Sequence, residues 1–286
     1  FKTLSVDQSS SINVNTVLTT GTGTIDLVSS GDININANVN SATTASMTSG
    51  GSINTTLATI TAAGLTTSSV SGTNISTQVG SLNFTNSGSG DVVVNNTGAL
   101  SMIGSNSSGN LSVTAGGAMT QSGALTVGGT TGIDAGGFDV TLTNSTNNFT
   151  GAVSVTGENV ALVDTNAIDL GASTVTGNLD VTATTGSITD SGALTVTGTS
   201  SFATTLANAV ITLDSTSNSF TGSVTVNTSG STGNVTIDNG TTALDIAAST
   251  VGGNLTLISG NVAGITDSGT VMVGGNLSAT TDANSG

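Results

Sequence analysis

The side chains that could do chemistry in this sequence of 286 residues are almost all carboxylates. There are 16 acidic residues against a single basic one, Lys2, and the formal net charge is -15. The chain has no His and no Cys, which excludes imidazole and thiolate metal ligands, Cys or His nucleophiles and a Ser-His-Asp triad. The chemistry that remains open is that of paired carboxylates, which bind cations or hydrolyse glycosides.

Cation binding would need carboxylates held close together. Asp134 with Asp139 and Asp164 with Asp169 are the pairs that could bridge a divalent cation between neighbouring segments. The acids are otherwise dispersed, and the Gly-rich nonapeptide calcium repeat is absent. We therefore expect no metal site and no cofactor, and we interpret the acids as groups that keep the protein soluble and limit lateral aggregation.

Glycoside hydrolysis is poorly supported, because a polysaccharide groove usually supplies aromatic platforms and cationic anchors. The chain has no Trp, no Tyr and one basic residue. The Gly-rich stretches Gly128–Gly132 and Gly21–Thr24 are not phosphate loops, since no Lys follows them and no strand-loop-helix context surrounds them. We predict turns there, no catalytic residues and no enzyme activity.

Charge and hydropathy also limit the partners. With Lys2 alone to meet phosphates, the counterion release that drives nucleic-acid binding is missing, and anionic membrane surfaces are disfavoured. No apolar run of membrane-spanning length occurs. We expect no nucleic-acid partner and no membrane insertion, and we interpret a chain that starts at Phe1 as a processed or excised segment of a longer polypeptide.

Internal repeats indicate the architecture. One phrase occurs three times, at Met119–Ala124, Ile188–Ala193 and Ile265–Thr270, and the second interval is longer than the first. Other phrases keep the same order along the chain. They are Gly-Asn-Leu at Gly109, Gly177 and Gly253, Phe-Thr-Gly at Phe149 and Phe220, and Ala-Ser-Thr-Val at Ala172 and Ala248.

The repeat tolerates insertions, and the largest one falls between Phe220 and Ala248, where the spacing grows most. This interval contains the turn-forming stretch Asn227–Asn234, which predicts an expanded loop between two strands. Around it, apolar and polar residues alternate with period two, as in Ser223–Asn227 and Asn234–Asp238. We expect short, half-buried strands and no helix of consequence.

A shorter sequence repeat near the amino end suggests the size of one coil. The phrases at Gly31–Asn34 and Gly51–Asn54 have equivalent wording, and Gly80–Asn83 is similar to both. The first two phrases predict coils of roughly 20 residues, which at a stacking distance of about 4.8 Å would give about 14 coils and a rod roughly 65 to 70 Å long. The longer repeat would then cover three or four coils.

A sandwich or an up-and-down barrel would also explain alternation and frequent turns, but it explains repeats with drifting spacing badly. The fold class predicted is all-β, a right-handed parallel β-helix (β-solenoid) of about 20-residue coils. Residues 1–286 should form one continuous solenoid, with degenerate repeats over 1–108 and clearer repeats of about 70–77 residues over 109–286.

The alternation also predicts which side chains face the interior. Thr225 and Thr236 should face outward, and Phe149 and Phe220 should both point inward, because they occupy equivalent places. Acidic residues should be staggered around the coil to avoid axial repulsion. Neither end shows a capping element, so we expect both ends to stack on further solenoid. The other interior residues predicted are Val224, Val226, Val235, Ile237 and Leu244.

The stretch Gly177–Gly198, with its phrases Gly-Asn-Leu-Asp-Val-Thr and Ile-Thr-Asp-Ser-Gly-Ala-Leu-Thr-Val-Thr-Gly, resembles the repeats of filamentous-haemagglutinin-type secreted bacterial proteins. The similarity is clearest from about Gly109 to Gly275. The resemblance implies a right-handed parallel β-helix in the shaft of an exported adhesin or surface fibre.

From these observations we expect a structural protein, the shaft of an extracellular or cell-surface bacterial fibre whose main partner is itself, through end-to-end stacking. The alternative is an adhesin segment that binds glycans or another surface through Thr- and Asn-rich faces. Two weaker hypotheses rest on single motifs. Pairs such as Thr195–Thr197 suggest ice binding, against which the insertions argue, and triplets such as Asn54–Thr56 are potential glycosylation acceptors.

Overall fold

A computed structural model describes residues 2–281 and contains strands and turns but no helix in that range. The chain divides into two compact units, Phe1–Phe138 and Asp139–Gly286. The strands of the first unit are β1 (Leu4–Gln8), β2 (Ile12–Val14), β3 (Leu18–Thr19), β4 (Ile25–Ser29), β5 (Ile33–Ile35), β6 (Val39–Asn40), β7 (Thr44–Ser49), β8 (Ile53–Thr55), β9 (Ile60–Ser69), β10 (Thr73–Asn86), β11 (Val92–Asn96), β12 (Leu100–Asn106), β13 (Leu111–Ala115), β14 (Met119–Val127) and β15 (Thr131–Asp134).

The second unit has the same kind of short strands. They are β16 (Val140–Leu142), β17 (Asn148–Phe149), β18 (Val153–Gly157), β19 (Val160–Asp164), β20 (Ile168–Leu170), β21 (Ser173–Val175), β22 (Leu179–Ala183), β23 (Ile188–Asp190), β24 (Leu194–Val196), β25 (Ser200–Thr204), β26 (Ile211–Leu213), β27 (Ser219–Phe220), β28 (Val224–Asn227), β29 (Val235–Asp238), β30 (Leu244–Ile246), β31 (Ser249–Val251), β32 (Leu255–Ser259), β33 (Ile265–Asp267), β34 (Val271–Val273) and β35 (Leu277–Thr281).

The first unit is a parallel β-solenoid with coils of nearly constant size along its clearest row. Each strand hydrogen-bonds to strands of the neighbouring coils, and the side chains of successive coils stack directly on one another. Ladders of this kind satisfy the strand amides without any edge inside the stack. One inward row contains Ile12, Ile33, Ile53, Thr73, Val92, Leu111 and Thr131.

The second unit is built in the same way, with two opposite walls that the chain visits in turn. We call the wall that contains β20, β23, β26, β29, β32 and β35 wall A, and the wall that contains β19, β22, β25, β28, β30 and β33 wall B. The coil size varies more along wall A than in the first unit, because the turns differ in length. The inward row of wall A is Ile168, Ile188, Ile211, Val235, Leu255 and Leu277.

This architecture confirms the predicted all-β parallel solenoid, with coils of about 20 residues. The interior residues predicted from the alternation are buried, and Thr225 and Thr236 lie on the outward side between buried neighbours. Phe149 and Phe220 are both buried, as predicted, and the Phe220 ring meets Phe202 edge to face at 5.8 Å between ring centroids. Aromatic rings in this geometry contribute more than their buried area alone.

The predicted insertion lies where the sequence placed it. Strands β28 and β29 keep four residues each, and residues 228–234 form the loop between them. Gly230 adopts a φ of +80°, which a side chain would strain, and the Thr228 hydroxyl donates to the Gly233 carbonyl at 2.6 Å. The loop leaves the coil without disturbing strand register.

One part of the prediction from the short repeat was wrong. Ile33 and Ile53 pair in adjacent coils, as the spacing of Gly31 and Gly51 predicted. Gly80, in contrast, lies within the long strand β10, and Leu82 pairs with Leu65 on a different row. The phrase at Gly80 resembles the others only in composition, because small and apolar residues alternate on every row.

The longer repeat covers neither three nor four coils in the second unit. Starting from Leu179 on wall B, the chain makes seven half-coil steps to reach Leu255 on wall A, which carries the same Gly-Asn-Leu phrase. Ile188 and Ile265 are related in the same way. Each repeat therefore advances three and a half coils, and equivalent residues lie on alternate walls.

The acidic residues are mostly staggered, as expected. Asp26 pairs with Ser5 and Ser46, and Asp180 pairs with Ala161 and Ser201. The exception is Asp190, whose pKa is raised by burial and, to a smaller extent, by the charge of Asp214.

Candidate functional surface

Asparagines at the corners of the coil form an amide ladder, in which each side chain is hydrogen-bonded to the next coil. In the second unit, the Asn159 Oδ1 accepts a hydrogen bond from the Asn178 backbone N–H at 3.0 Å. The Asn178 Oδ1 in turn accepts bonds from the Thr199 N–H at 2.9 Å and from its hydroxyl at 3.0 Å. Asn234 and Asn254 repeat the arrangement on wall A. Each side chain thus satisfies a corner N–H that strand pairing leaves free.

The glycine of the Gly-Asn-Leu phrase makes this ladder fit. A Cβ on Gly177 would lie 2.5 Å from the Asn159 Oδ1, and one on Gly253 would lie 2.3 Å from the Asn234 Oδ1. A side chain at either glycine would therefore displace the asparagine amide that caps the corner. The repeated phrase therefore encodes a corner that stacks closely and is capped by an amide, and its role is structural.

Several acids serve the same purpose as these asparagines. The Asp139 Oδ1 accepts bonds from the Asn159 N–H at 3.1 Å and from its side-chain amide at 2.9 Å. Asp32 accepts bonds from the Ser52 N–H at 2.7 Å and hydroxyl at 2.9 Å, and these bonds lower the pKa of its carboxyl. From the sequence, the acids were expected to keep the protein soluble and to limit lateral aggregation, because the corner geometry is not visible in the sequence.

The first unit carries a row of outward asparagines. Asn13, Asn34, Asn54 and Asn74 lie in register on four successive coils. The Asn34 amide donates to the Asn13 Oδ1 at 3.0 Å, and the Asn54 amide donates to the Ser52 hydroxyl at 2.8 Å. We call these four residues the Asn face; each keeps part of its amide hydrogen-bonding capacity toward solvent.

The second unit carries an outward row of threonines on wall A. Thr189, Thr212, Thr236 and Thr256 occupy paired positions on successive coils, and we call them the Thr row. Insertions do not break this row, because they leave the coil at turns. The insertions therefore do not disrupt the Thr row in this unit, although the row is only one residue wide at each coil.

Equivalent polar pairs lie on both walls. The Thr189 hydroxyl lies 3.4 Å from Asp169 Oδ1 on wall A, and the Thr266 hydroxyl lies 3.4 Å from Asp245 Oδ1 on wall B. The two pairs are related by the repeat of three and a half coils. The second unit thus shows the same surface chemistry on both walls.

The carboxylate pairs considered for cation binding are separated by their surroundings. Asp164 is fully buried, whereas Asp169 lies outward beside Thr189. Asp134 accepts a bond from the Gly136 N–H, and Asp139 bonds to Asn159. Within residues 2–281, no group of three or more acidic side chains is arranged to hold a metal ion.

Two hollows in the second unit differ in character. One, of about 220 Å³, is an open depression on wall B beside Asp139, Asn159 and Asp180. The other, of about 310 Å³, lies at the last described coil and is lined by apolar residues, including Leu255, Ile265 and Leu277. Leu277 is 60% exposed there, although its partners along the row are buried.

The sequence alone did not reveal that three acids lie away from the surface: Asp164 and Asp238 are buried, and Asp190 is partly buried. A signal was present for Asp164, because the alternation that starts at Val160 and Leu162 places residue 164 inward. Burial raises the pKa of Asp164 to about 6 and also raises the pKa of Asp190. For Asp190, bonds from the Asn218 amide at 2.6 Å and the Asp214 N–H at 2.9 Å partly offset that rise.

Among residues 2–281 no helix has the length and apolar character needed to cross a bilayer. A family model described as repeats of unknown function (DUF5649) matches the chain three times in succession, at residues 89–156, 157–227 and 232–286. These matches cover the region in which the phrases recur. No curated protein and no solved structure is significantly similar to the chain.

Proposed function

The chain belongs to the family of repeats of unknown function (DUF5649), and from this premise we propose that it is a structural segment: the shaft of an extracellular or cell-surface bacterial fibre. The observation that carries the proposal is the uninterrupted parallel stacking of coils within each unit. Residues of one type recur in register, and the repeated phrases encode corners and core, not a reactive site.

The way in which the coils are stabilised supports this role. Backbone pairing joins every coil to its neighbours, and buried apolar rows such as Ile168, Ile188 and Ile211 run along the axis. The amide ladder adds further bonds at the corners. Such a structure grows by adding identical layers, which suits a shaft whose length is set by repeat number.

In this proposal the stacking surface is the coil that contains the exposed Leu277 and the half-buried Ile265 and Val271. A further coil, from the same longer chain or from a neighbouring copy, would cover these apolar side chains.

Electron microscopy and sedimentation of the full chain test this proposal. We expect unbranched filaments that form more readily as concentration rises, and we expect Leu277→Asp to reduce their formation because it places a charge in the stacking surface. Thr236→Asp, which adds the same charge on an outward position of wall A, is the matched control. Monodisperse particles at all concentrations, or equal effects of the two variants, would contradict assembly through this coil.

A second candidate function is adhesion, which the Asn face and the Thr row favour. Both present uncharged hydrogen-bonding groups at about the 4.8 Å spacing of stacked strands, a surface suited to the hydroxyls of a neutral glycan. A glycan array probed with the full chain and with the Asn34→Ala/Asn54→Ala variant tests this alternative. Loss of glycan signal in the variant would support it, and a wild-type chain that binds no glycan would exclude the set of glycans tested.

The remaining assignments stay predictions: no enzyme activity, no nucleic-acid partner, no membrane insertion and an extracellular location. The resemblance to filamentous-haemagglutinin-type repeats supports the location.

A further inference from the structure

Asp164 is an acid placed where the fold calls for an inward side chain. It is the last residue of β19, in line with the inward Val160 and Leu162, and its side chain has no solvent exposure. In the next coil its paired residue is Ala183, which is also buried. The carboxyl therefore lies inside the coil at a corner, away from water.

The groups around this carboxyl donate hydrogen bonds but carry no charge. The Phe149 N–H donates to Oδ2 at 3.2 Å, and the Asn166 N–H donates to Oδ1 at 3.2 Å. The Asn147 amide of the facing turn donates to the Leu142 and Val163 carbonyls. The neighbouring acids of the same unit, Asp169 and Asp180, occupy outward positions on β20 and β22.

Within residues 2–281, the neighbours of Asp164 that hydrogen bonds and strand pairing identify carry no titratable side chain. These residues are Asn147, Asn148 and Phe149 before β18, Thr165 and Asn166 after β19, and Ala183 and Thr184 of the next coil. The only basic residue of the chain is Lys2, which belongs to the first unit. The buried charge is therefore offset by backbone N–H groups alone, and burial raises the pKa of Asp164 to about 6.

The equivalent corner of the next repeat contains an asparagine. There the Asn239 Oδ1 accepts a bond from the Phe220 N–H at 2.6 Å, just as Asp164 accepts one from Phe149. The Asn239 amide also donates to the carbonyls of Phe220, Thr242 and Ala243 at 2.9 to 3.2 Å. Asn239 is fully buried, so this corner is built for a neutral side chain that both accepts and donates.

We propose that Asp164 is a proton-binding site of the solenoid, and that its corner closes more stably when the carboxyl is protonated. An ionised carboxylate supplies the acceptor that the Phe149 N–H needs, but it has no hydrogen to donate to carbonyls of the kind that the Asn239 amide meets at the equivalent corner. A protonated carboxyl accepts and donates at once, as the amide of Asn239 does. The inference goes beyond the proposed shaft function and does not depend on it.

The direction of the pH effect follows from the two protonation states. The carboxyl of Asp164 has its ordinary pKa of 3.8 when the chain is unfolded and about 6 in the folded state. Its contribution to stability is complete below pH 3.8, declines as pH rises and is lost above about pH 6. A separation of about two pKa units corresponds to about a hundredfold change in the folding equilibrium. The second unit should therefore become more stable as the medium is acidified from neutral pH toward pH 4.

Carbon-13 NMR of the full chain, with labelled aspartate, tests the site directly. We expect one carboxyl resonance, absent from Asp164→Asn, to titrate near pH 6. If every resonance that Asp164→Asn removes titrates at or below the ordinary value of about 3.8, the proposal is wrong. The titration itself is read from the wild-type chain, and the variant serves only to assign the resonance.

Urea unfolding between pH 4 and pH 8 tests the consequence. Asp164→Asn should retain the acid-form stability at neutral pH and flatten the pH profile by up to about a hundredfold in the equilibrium constant. Asn239→Asp should introduce a second pH dependence of the same direction at the equivalent corner, where the neighbouring residue is the buried Asp238 in place of Val163. Asp180→Asn, which removes a charge from an exposed position, is the control, and Asp190 contributes equally to all these profiles. A profile that Asp164→Asn leaves as steep as the wild type would overturn the proposal.

Discussion

A single asparagine and the glycine before it explain much of the wording of this sequence. The asparagine caps a corner N–H of the next coil, and the glycine permits the close approach that the cap requires. The leucine or valine that follows is the first inward-facing residue of the next strand. Each residue of the Gly-Asn-Leu phrase thus has its own structural role.

Asn178→Ala should lower the free energy of unfolding by about 1 kcal/mol, because it removes the acceptor for two bonds from Thr199, one of them from a backbone N–H. Urea unfolding measures the change. Thr182→Ala, a truncation on the outward side of the same neighbourhood, is the control and should be nearly neutral. Equal losses of unfolding free energy in the two variants would contradict a special role for the corner amide.

Phe220→Ala should cost about 3 to 5 kcal/mol, because Phe220 is fully buried and its ring contacts Phe202. The expected loss includes both the apolar surface and the cavity that a narrow interior cannot close. Phe138→Ala is the comparison, since Phe138 is 49% exposed and should lose far less. Similar unfolding midpoints for the two variants would contradict the inward placement of Phe220.

At the scale of elements, the strands keep their register and change by one residue in length, while the turns vary far more. The link between β18 and β19 consists of Glu158 and Asn159, whereas the equivalent link between β28 and β29 is residues 228–234. Loop-closure entropy changes slowly with length, so such additions cost little if they stay outside the ladder.

Deleting Ser229–Thr232 should therefore leave a folded chain with a modest change in stability, because the link that remains is close in length to the one formed by Glu158 and Asn159. Deleting Thr236 alone should be far more damaging, because it shifts Ile237 from the inward to the outward side of β29. Far-UV circular dichroism and urea unfolding compare the two. A strand deletion as mild as the loop deletion would show that register does not govern this fold.

The predictable part of the fold is the part that recurs. Alternation placed Val224 and Val226 correctly, repeat equivalence with Phe149 placed Phe220, and the drift in spacing located the loop before β29. The corner ladder was not predictable, because the hydrogen bond between Asn178 and Thr199 depends on how coils stack and not on local pattern. The phrase at Gly80 was assigned to the wrong row for the opposite reason, because its local pattern fits several rows equally well.

At the scale of the second unit as a whole, the repeat of three and a half coils has a consequence that no single strand shows. Asp169 with Thr189 and Asp245 with Thr266 present one chemistry on opposite walls. A solenoid built in this way exposes equivalent groups on both walls. The sequence alone left the coil number open, because a half-integer repeat is recognised only from strand pairing.

The fold should not depend on divalent metal. Its acids are dispersed or bonded to backbone N–H groups, and no cluster of three was found in residues 2–281. Far-UV circular dichroism of the full chain should be unchanged after EDTA treatment and dialysis. Loss of the β signal on chelation, with recovery on adding calcium, would show that a metal contributes to the stack.

Paired cysteines give the most direct test of the central claim that the chain folds into parallel coils stacked in register. The sequence has no Cys, so only the introduced pair can react. Thr212 pairs with Thr236 in the adjacent coil, at about 4.8 Å between strands, and Thr256 lies one coil further, at about twice that distance. Under mild oxidation Thr212→Cys/Thr236→Cys should form an intramolecular disulfide, whereas Thr212→Cys/Thr256→Cys should not, since a disulfide spans Cα atoms no more than about 7 Å apart. Failure of the first pair to cross-link, or equal cross-linking of the second, would contradict the stacked parallel solenoid.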